Sequence, residues 1–129
     1  MGIRSFDGLR YHYYAHFRRD RPYAVGLEEG QVVMAGDVIG YVGRTGYSNI
    51  ENTNGIRESH LHYGLQLIFH ESQRDGNNQI WIDLYQITRM LSANRSEVVR
   101  DESTKEYTRA VEFRHRIPEG LIEPYEVVE

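Results

Sequence analysis

Near the middle of the chain, Ser59-His60-Leu61-His62-Tyr63-Gly64-Leu65-Gln66-Leu67 alternates polar and apolar side chains almost without a break. A period of two is the mark of a half-buried β-strand. Residues two apart in a strand share a face. The pattern therefore sets His60 and His62 side by side and sends Leu61, Tyr63, Leu65 and Leu67 to the other side, where a core can hold them. Leu61 is expected to tolerate a polar replacement poorly, since it anchors the strand that aims the histidines. Two imidazoles on a rigid strand are a starting point for a metal or proton-transfer site.

The flanking sequence is read the same way. Ile3 to Phe6 and Leu9 to Phe17 are β-prone segments around Asp7-Gly8, which is a hairpin signal. Alternation puts His12, Tyr14 and His16 on one face of the second strand, with Tyr11, Tyr13, Ala15 and Phe17 on the other. Arg18 to Pro22 is a loop. Residues 23–46 read as further β-structure with Val25, Leu27, Val32, Val33, Ile39 and Val42 as core candidates. Gly30, Gly36, Gly40, Gly43 and Gly46 mark turns, bulges or close backbone approaches within it. Tyr47 to Glu58 is a long polar loop beside the paired histidines. The His60 strand should run to about Phe69, followed by a turn over Ser72 to Asn78 and a short returning strand at Ile80-Trp81-Ile82. Asp83 can cap the next helix with Gln86 completing the box, and its apolar stripe of Leu84, Ile87, Met90 and Leu91 should cover the sheet. The expectation is a mainly β, antiparallel-sheet domain over residues 1–95 with a short C-terminal helix. Residues 96–129 are read as a charged tail with a short helix around Glu102 to Glu112 and an extended end.

Composition narrows the chemistry. The 129 residues carry a formal charge of −4 and a pI near 5.9, with no basic footprint for nucleic acid. No stretch reaches the roughly 18 apolar residues of a membrane span, and Met1 to Arg10 lacks the apolar run of a secretory signal. Cysteine is absent, so a metal would need imidazole, carboxylate or carbonyl ligands. The glycines form neither Gly-x-Gly-x-x-Gly nor a Walker loop, which argues against a nucleotide site. The rhythm of Leu27 to Gly40 resembles that of biotinyl or lipoyl carriers, but the single lysine, Lys105, lies far outside it. Of ten tyrosines, four lie between residues 11 and 23. They suit a wet groove for a peptide or glycan, although β-propensity alone also explains them.

His-x-His by itself is a weak motif, and exposed or hydrogen-bonded histidines would look the same. His16 is the third candidate, on a strand that can lie beside the His60 strand. His12 ranks below it, and His70 and His115 read as solvent residues. A zinc hydrolase uses three protein ligands and a water whose pKa the metal lowers. Neighbouring imidazoles can take the water's proton or support an oxyanion. Spacing leaves open whether the histidines are ligands or act beside them.

Taken in order, Tyr14-Ala15-His16-Phe17, Glu29 to Gly40, Gly43-Arg44-Thr45-Gly46-Tyr47-Ser48 and His60-Leu61-His62-Tyr63 resemble the M23 zinc metalloendopeptidases, the lysostaphin-like or LytM-type peptidoglycan hydrolases, over roughly residues 9–92. The resemblance implies a β-rich peptidase domain with a groove over an antiparallel sheet, present here as its C-terminal portion. It implies His62 as a zinc ligand, His16 and His60 as catalytic histidines, and a peptide of bacterial peptidoglycan stems or cross-bridges as substrate. The family's upstream His-x-x-x-Asp pair has no counterpart before Tyr14 to Phe17. His16 and Asp20 match that spacing and form a second-ranked ligand reading. Gly64 stands where the family often has an acidic residue. The remaining zinc ligands are therefore expected from sequence absent here or from another chain, with a homo-oligomer or a complementing N-terminal fragment as partner. The chain alone is expected to be weakly active or inactive, and its location extracellular or in the cell envelope. The alternative is a noncatalytic wall-binding or assembly module with a degenerate peptidase fold.

Overall fold

The computed structural model describes residues 1–112. His115 and the extended end expected over 117–129 lie outside them. Four strands form one antiparallel sheet: β1 (Gly2–Arg4), β2 (Arg10–Ala15), β3 (His62–Leu67) and β4 (Ile80–Trp81), in that spatial order. A helix, α1 (Tyr85–Ala93), follows, and then a separate hairpin of β5 (Val98–Arg100) and β6 (Tyr107–Arg109). The described residues are mainly β, with one short α-helix towards their C-terminal side.

The β1–β2 hairpin forms at the expected place, but its connection is longer than two residues. Arg4 pairs with Tyr11, and Ser5 N–H donates to the Arg10 carbonyl at 2.9 Å. Asp7 accepts from Leu9 N–H at 3.0 Å, and Gly8 turns the chain at a φ of 70°. The Ser5 hydroxyl and the Leu9 amide hold the Asp7 carboxyl down at about 2.

The register of β2 on β3 decides which side chains meet. Tyr11 lies opposite Gln66, Tyr13 opposite Gly64 and Ala15 opposite His62. Directly opposed residues share a face, so His62, Gly64, Gln66, Tyr11 and Tyr13 look one way, together with Trp81 opposite Gln66. Trp81 closes onto this face because Gly64 has no side chain: a Cβ there would lie 2.7 Å from the indole Cζ3. Arg4, Tyr11, Tyr13, Gln66, Ile68, Arg74, Gln79 and Trp81 line an open cavity of about 670 Å³ on this face.

Several expectations from patterning are corrected. β3 begins at His62 and ends at Leu67, so Leu61 falls outside the strand and is 49% exposed. It anchors no core. Val25, Val32 and Val42 are exposed as well, Val25 at 80%. The buried apolar side chains among the described residues are Ile56 and Ile68. Residues 23–46 make turns rather than strands, with Gly26, Gly30 and Gly36 at positive φ and isolated bridges pairing Phe17 with Val42 and Tyr23 with Gly40. Frequent glycines set the turns there, and turns that close every few residues leave no run long enough for a ladder.

The helix forms where expected, but its N-cap position is Leu84 without a side-chain cap, so the expected Asp83–Gln86 box is not what starts it. Asp83, one residue earlier, accepts from Tyr85 N–H at 3.0 Å. The helix does not cover the sheet, since none of its residues is buried and Met90 and Leu91 are exposed. The helix expected around Glu102 to Glu112 is instead the β5–β6 hairpin. Asp101 Oδ1 accepts from Ser103 N–H and Thr104 N–H, and Lys105 takes a φ of 61°, so a side-chain-closed turn replaces a helical one.

Candidate functional site

The three histidines singled out by spacing come together, though not by strand alternation. β2 ends at Ala15, and His16 takes a φ of 65° in the left-handed region. Continued alternation would have put the His16 ring on the face of His12 and Tyr14, away from His62. The backbone break turns it back. The ring centroids of His16 and His62 are 5.3 Å apart, and those of His16 and His60 are 4.9 Å apart. His60 also reaches the cluster from outside β3, in the segment that enters it.

The segment that follows His16 is held by residues 41–45. Gly43 N–H donates to the His16 carbonyl at 2.8 Å, and Arg18 N–H donates to the Tyr41 carbonyl at 2.9 Å. Thr45 Oγ1 donates to the Phe17 carbonyl at 2.7 Å. Gly43 allows this approach, since a Cβ there would lie 2.2 Å from Arg18 Cα. His16 Nδ1 bonds to the Thr45 carbonyl at 2.8 Å, and His60 Nδ1 bonds to the Glu58 carbonyl at 3.0 Å. Tyr47 packs on His16 with centroids 5.7 Å apart, and Tyr13 meets His62 edge-on at 5.8 Å. Tyr13 also lines the open cavity, which makes the cluster and the cavity neighbours on one face.

His16, Asp20, Tyr47 and Asn52 all hold positive φ in the turns around the cluster. Such backbone costs free energy and persists where surrounding contacts over-determine it. Asp20 contributes to those contacts. Its Oδ1 accepts from Asn52 Nδ2 at 2.8 Å, and its own N–H donates to Asn52 Oδ1 at 2.7 Å.

On the opposite face, His12 Nδ1 bonds to the Tyr63 hydroxyl at 2.8 Å, and Tyr14 packs on Tyr63. Burial, helped by the Arg10 charge, pushes the His12 imidazole down from its ordinary value. Burial pushes Tyr14 up to about 12 with help from Tyr63, and raises Tyr63 itself. His70 has a local role. Its ring accepts from Ser72 N–H at 3.2 Å and caps a single 3-10 turn, Glu71–Gln73.

Two residues that patterning overlooked matter for the sheet. Gln66 and Gln73 are both buried. Gln66 Nε2 donates to the Gln73 carbonyl, and Gln73 Oε1 accepts from Phe69 and His70 N–H. A polar residue at an alternating position signals solvent to a pattern reader. The only contrary hint is that a glutamine amide can satisfy several backbone groups at once.

Part of this chain is similar to a bacterial endopeptidase. The L-Ala--D-Glu endopeptidase of Bacillus subtilis (strain 168) is 43% identical to it over 65 residues. Those residues are 50% of this chain and 18% of the relative, so the chain spans about a fifth of that protein's length. No family model matches, and no solved structure matches significantly.

A zinc ion needs three or four protein ligands at short range. Among the described residues no group of three or more His, Asp or Glu could hold a metal ion. The His16 ring lies edge-on to His60 and tilted to His62, and Asp20, the carboxylate at the spacing of a second ligand, is bonded to Asn52. Zinc therefore does not fit this set of residues by themselves. No helix among the described residues is long and apolar enough to cross a membrane.

Proposed function

We propose that this chain is a peptidoglycan-associated, endopeptidase-like module that engages cell-wall peptides without cleaving them by itself. The observation that carries this reading is the pairing of a gathered His16–His60–His62 cluster with the lack, among the described residues, of any group able to hold a metal. Similarity to an endopeptidase over half the chain supports the substrate class. The Tyr13, Tyr11 and Trp81 face beside the cluster supports contact with an extended ligand, since large aromatic side chains with a polar handle suit wet binding surfaces. Such a module would work outside the cell or in the cell envelope.

A second reading has one observation in its favour. The rings of His16 and His60 lie 4.9 Å apart beside His62, close enough for two imidazoles to act on one reacting group. In that reading the chain is a zinc endopeptidase of the M23 type, and a second chain or a complementing segment supplies the remaining ligands.

One pair of assays tests the noncatalytic reading, and repeating it with a complementing N-terminal segment separates it from the second, which predicts zinc-dependent release only with that segment present. Sedimentation with purified, cross-linked peptidoglycan should retain the protein, while release of soluble wall fragments should be equal for the parent, His60→Ala and His62→Ala, with or without added zinc. Wall solubilisation by the parent that either substitution abolishes would overturn the noncatalytic reading. Failure to sediment with the wall would also overturn it.

A further inference from the structure

The backbone carbonyls beside the cluster set its proton chemistry. A carbonyl oxygen only accepts, so the nitrogen that bonds to it must carry the proton. His16 Nδ1 meets the Thr45 carbonyl at 2.8 Å, and His60 Nδ1 meets the Glu58 carbonyl at 3.0 Å. In a neutral imidazole the other nitrogen, Nε2, is then an acceptor. Both rings are thus specified in one tautomer by two different loops.

We propose that the Thr45 and Glu58 carbonyls are positioning groups that hold His16 and His60 as Nδ1–H tautomers, so that the resting pair presents two Nε2 lone pairs to its ligand. The inference rests on reading these two histidines as the working residues of the module. It assigns them a direction. In the neutral state each ring accepts a hydrogen bond or a proton through Nε2 and offers none there. The ligand group that suits them is therefore a donor, such as a peptide amide N–H or an ammonium, rather than a carboxylate.

Thr45 and Gly46 are built for this task. Thr45 Oγ1 bonds to the Phe17 carbonyl, which fixes the residue whose carbonyl faces His16. Gly46 sits at a φ of 125°, and a Cβ on it would lie 2.9 Å from His16 Nδ1 and 3.1 Å from Cε1. Any side chain at residue 46 would press on the ring at the edge that makes the bond.

The test is long-range proton–nitrogen correlation of the imidazoles in the whole chain, at a pH where both rings are neutral. It needs no wall binding and no activity, so its failure is separate from failure of the proposed function. The expected spectrum shows protonated Nδ1 and unprotonated Nε2 for His16 and His60, the reverse of the tautomer that free histidine favours in water. Gly46→Ala should return His16 towards the free-histidine pattern and leave His60 unchanged. Either ring found as the Nε2–H form in the parent would overturn the inference. So would a Gly46→Ala protein with native backbone resonances and an unchanged His16 pattern. If that variant does not fold, the parent spectrum decides alone. Addition of glycinamide should move the His16 and His60 Nε2 resonances more than equal acetate does, and the opposite order would also overturn it.

Discussion

The close approach of residues 41–45 to residues 16–18 can be broken with one methyl group. In Gly43→Ala the new Cβ would fall 2.2 Å from Arg18 Cα, 2.3 Å from Arg18 N and 2.5 Å from the Phe17 carbonyl carbon. All three are backbone atoms, so no rotamer change relieves them. The segments must separate by about 1.2–1.8 Å to bring the 2.2 Å approach back to ordinary contact. That opens the bond from Gly43 N–H to the His16 carbonyl and strains those from Arg18 N–H to Tyr41 and from Thr45 N–H to Phe17. At about 0.5–1.5 kcal/mol for each bond, the loss is about 2–4 kcal/mol. A small domain has only about 5–15 kcal/mol to lose. Gly26→Ala is the matched control. Its Cβ meets nothing within 4 Å, although its φ of 80° makes alanine strained, a cost of about 1–2 kcal/mol. In urea titration followed by circular dichroism, Gly43→Ala should lower the midpoint by roughly 1–2 M, taking a slope of about 2 kcal/mol/M. Gly26→Ala should lower it by roughly half as much. The cross-relaxation signal between the His16 and His60 rings should disappear in the first variant alone. A Gly43→Ala midpoint equal to or above that of Gly26→Ala would refute the reasoning, because the close packing it rests on would not exist in solution.

Three further outcomes follow from the same contacts. His12 is held below its ordinary value by burial, so the unfolded chain binds its proton first on acidification. Stability should be full above about pH 6.5 and fall as pH drops through the lowered folded value. His12→Phe should flatten that part of a urea-midpoint profile, and an unchanged profile would contradict the assignment. Glu106 joins the β5–β6 hairpin to the body by accepting from the Tyr41 hydroxyl and from Arg18 at 3.2 Å. The Tyr41 bond, then Arg18, holds its carboxyl below the usual range. The anchor should therefore be complete above the ordinary carboxylate value and be lost as pH falls through the folded value. Amide exchange in β5–β6 should rise over that window, while Glu106→Gln should show fast exchange already at neutral pH. Leu61→Asn should shift the urea midpoint by no more than about 0.5 kcal/mol in free-energy terms, as exposed sites do, and a loss above about 2 kcal/mol would restore Leu61 to a core.

Local signals were legible wherever neighbouring residues settle the structure. The β1–β2 hairpin, the place of α1 and the antiparallel, mainly β character follow from turn residues, an apolar stripe of helical period and alternation, whereas the expected Asp83 cap shifts to an uncapped Leu84. Burial was not legible in the same way. Period two says that two faces differ, but not which apolar face finds a cover. Leu61, Val25 and the α1 stripe have apolar patterning and remain exposed, while Gln66 and Gln73 are polar and buried. Charge density between Glu102 and Glu112 suggested a helix, yet the Asp101 turn depends on two backbone amides meeting one carboxylate. Helix propensity does not report that competition.

The histidine cluster shows why spacing can identify the right residues for an incomplete reason. His60 and His62 were expected to meet because they are two apart in a strand, but the strand starts at His62. His16 was expected to reach them from a neighbouring strand, but the Ala15–His62 register would leave it facing away. What unites the rings is the left-handed turn at His16, stabilised by residues 41–45 at contacts that only glycine at position 43 permits. The glycines first read as punctuation are thus structural partners of the cluster. If the cluster is functional, substitutions at Gly43 and Gly46 should impair ligand engagement as strongly as substitutions of the histidines. Exposed valines at positions 25, 32 and 42 should accept polar replacements with wall sedimentation intact. A reversal of that order would place the working surface elsewhere on the molecule.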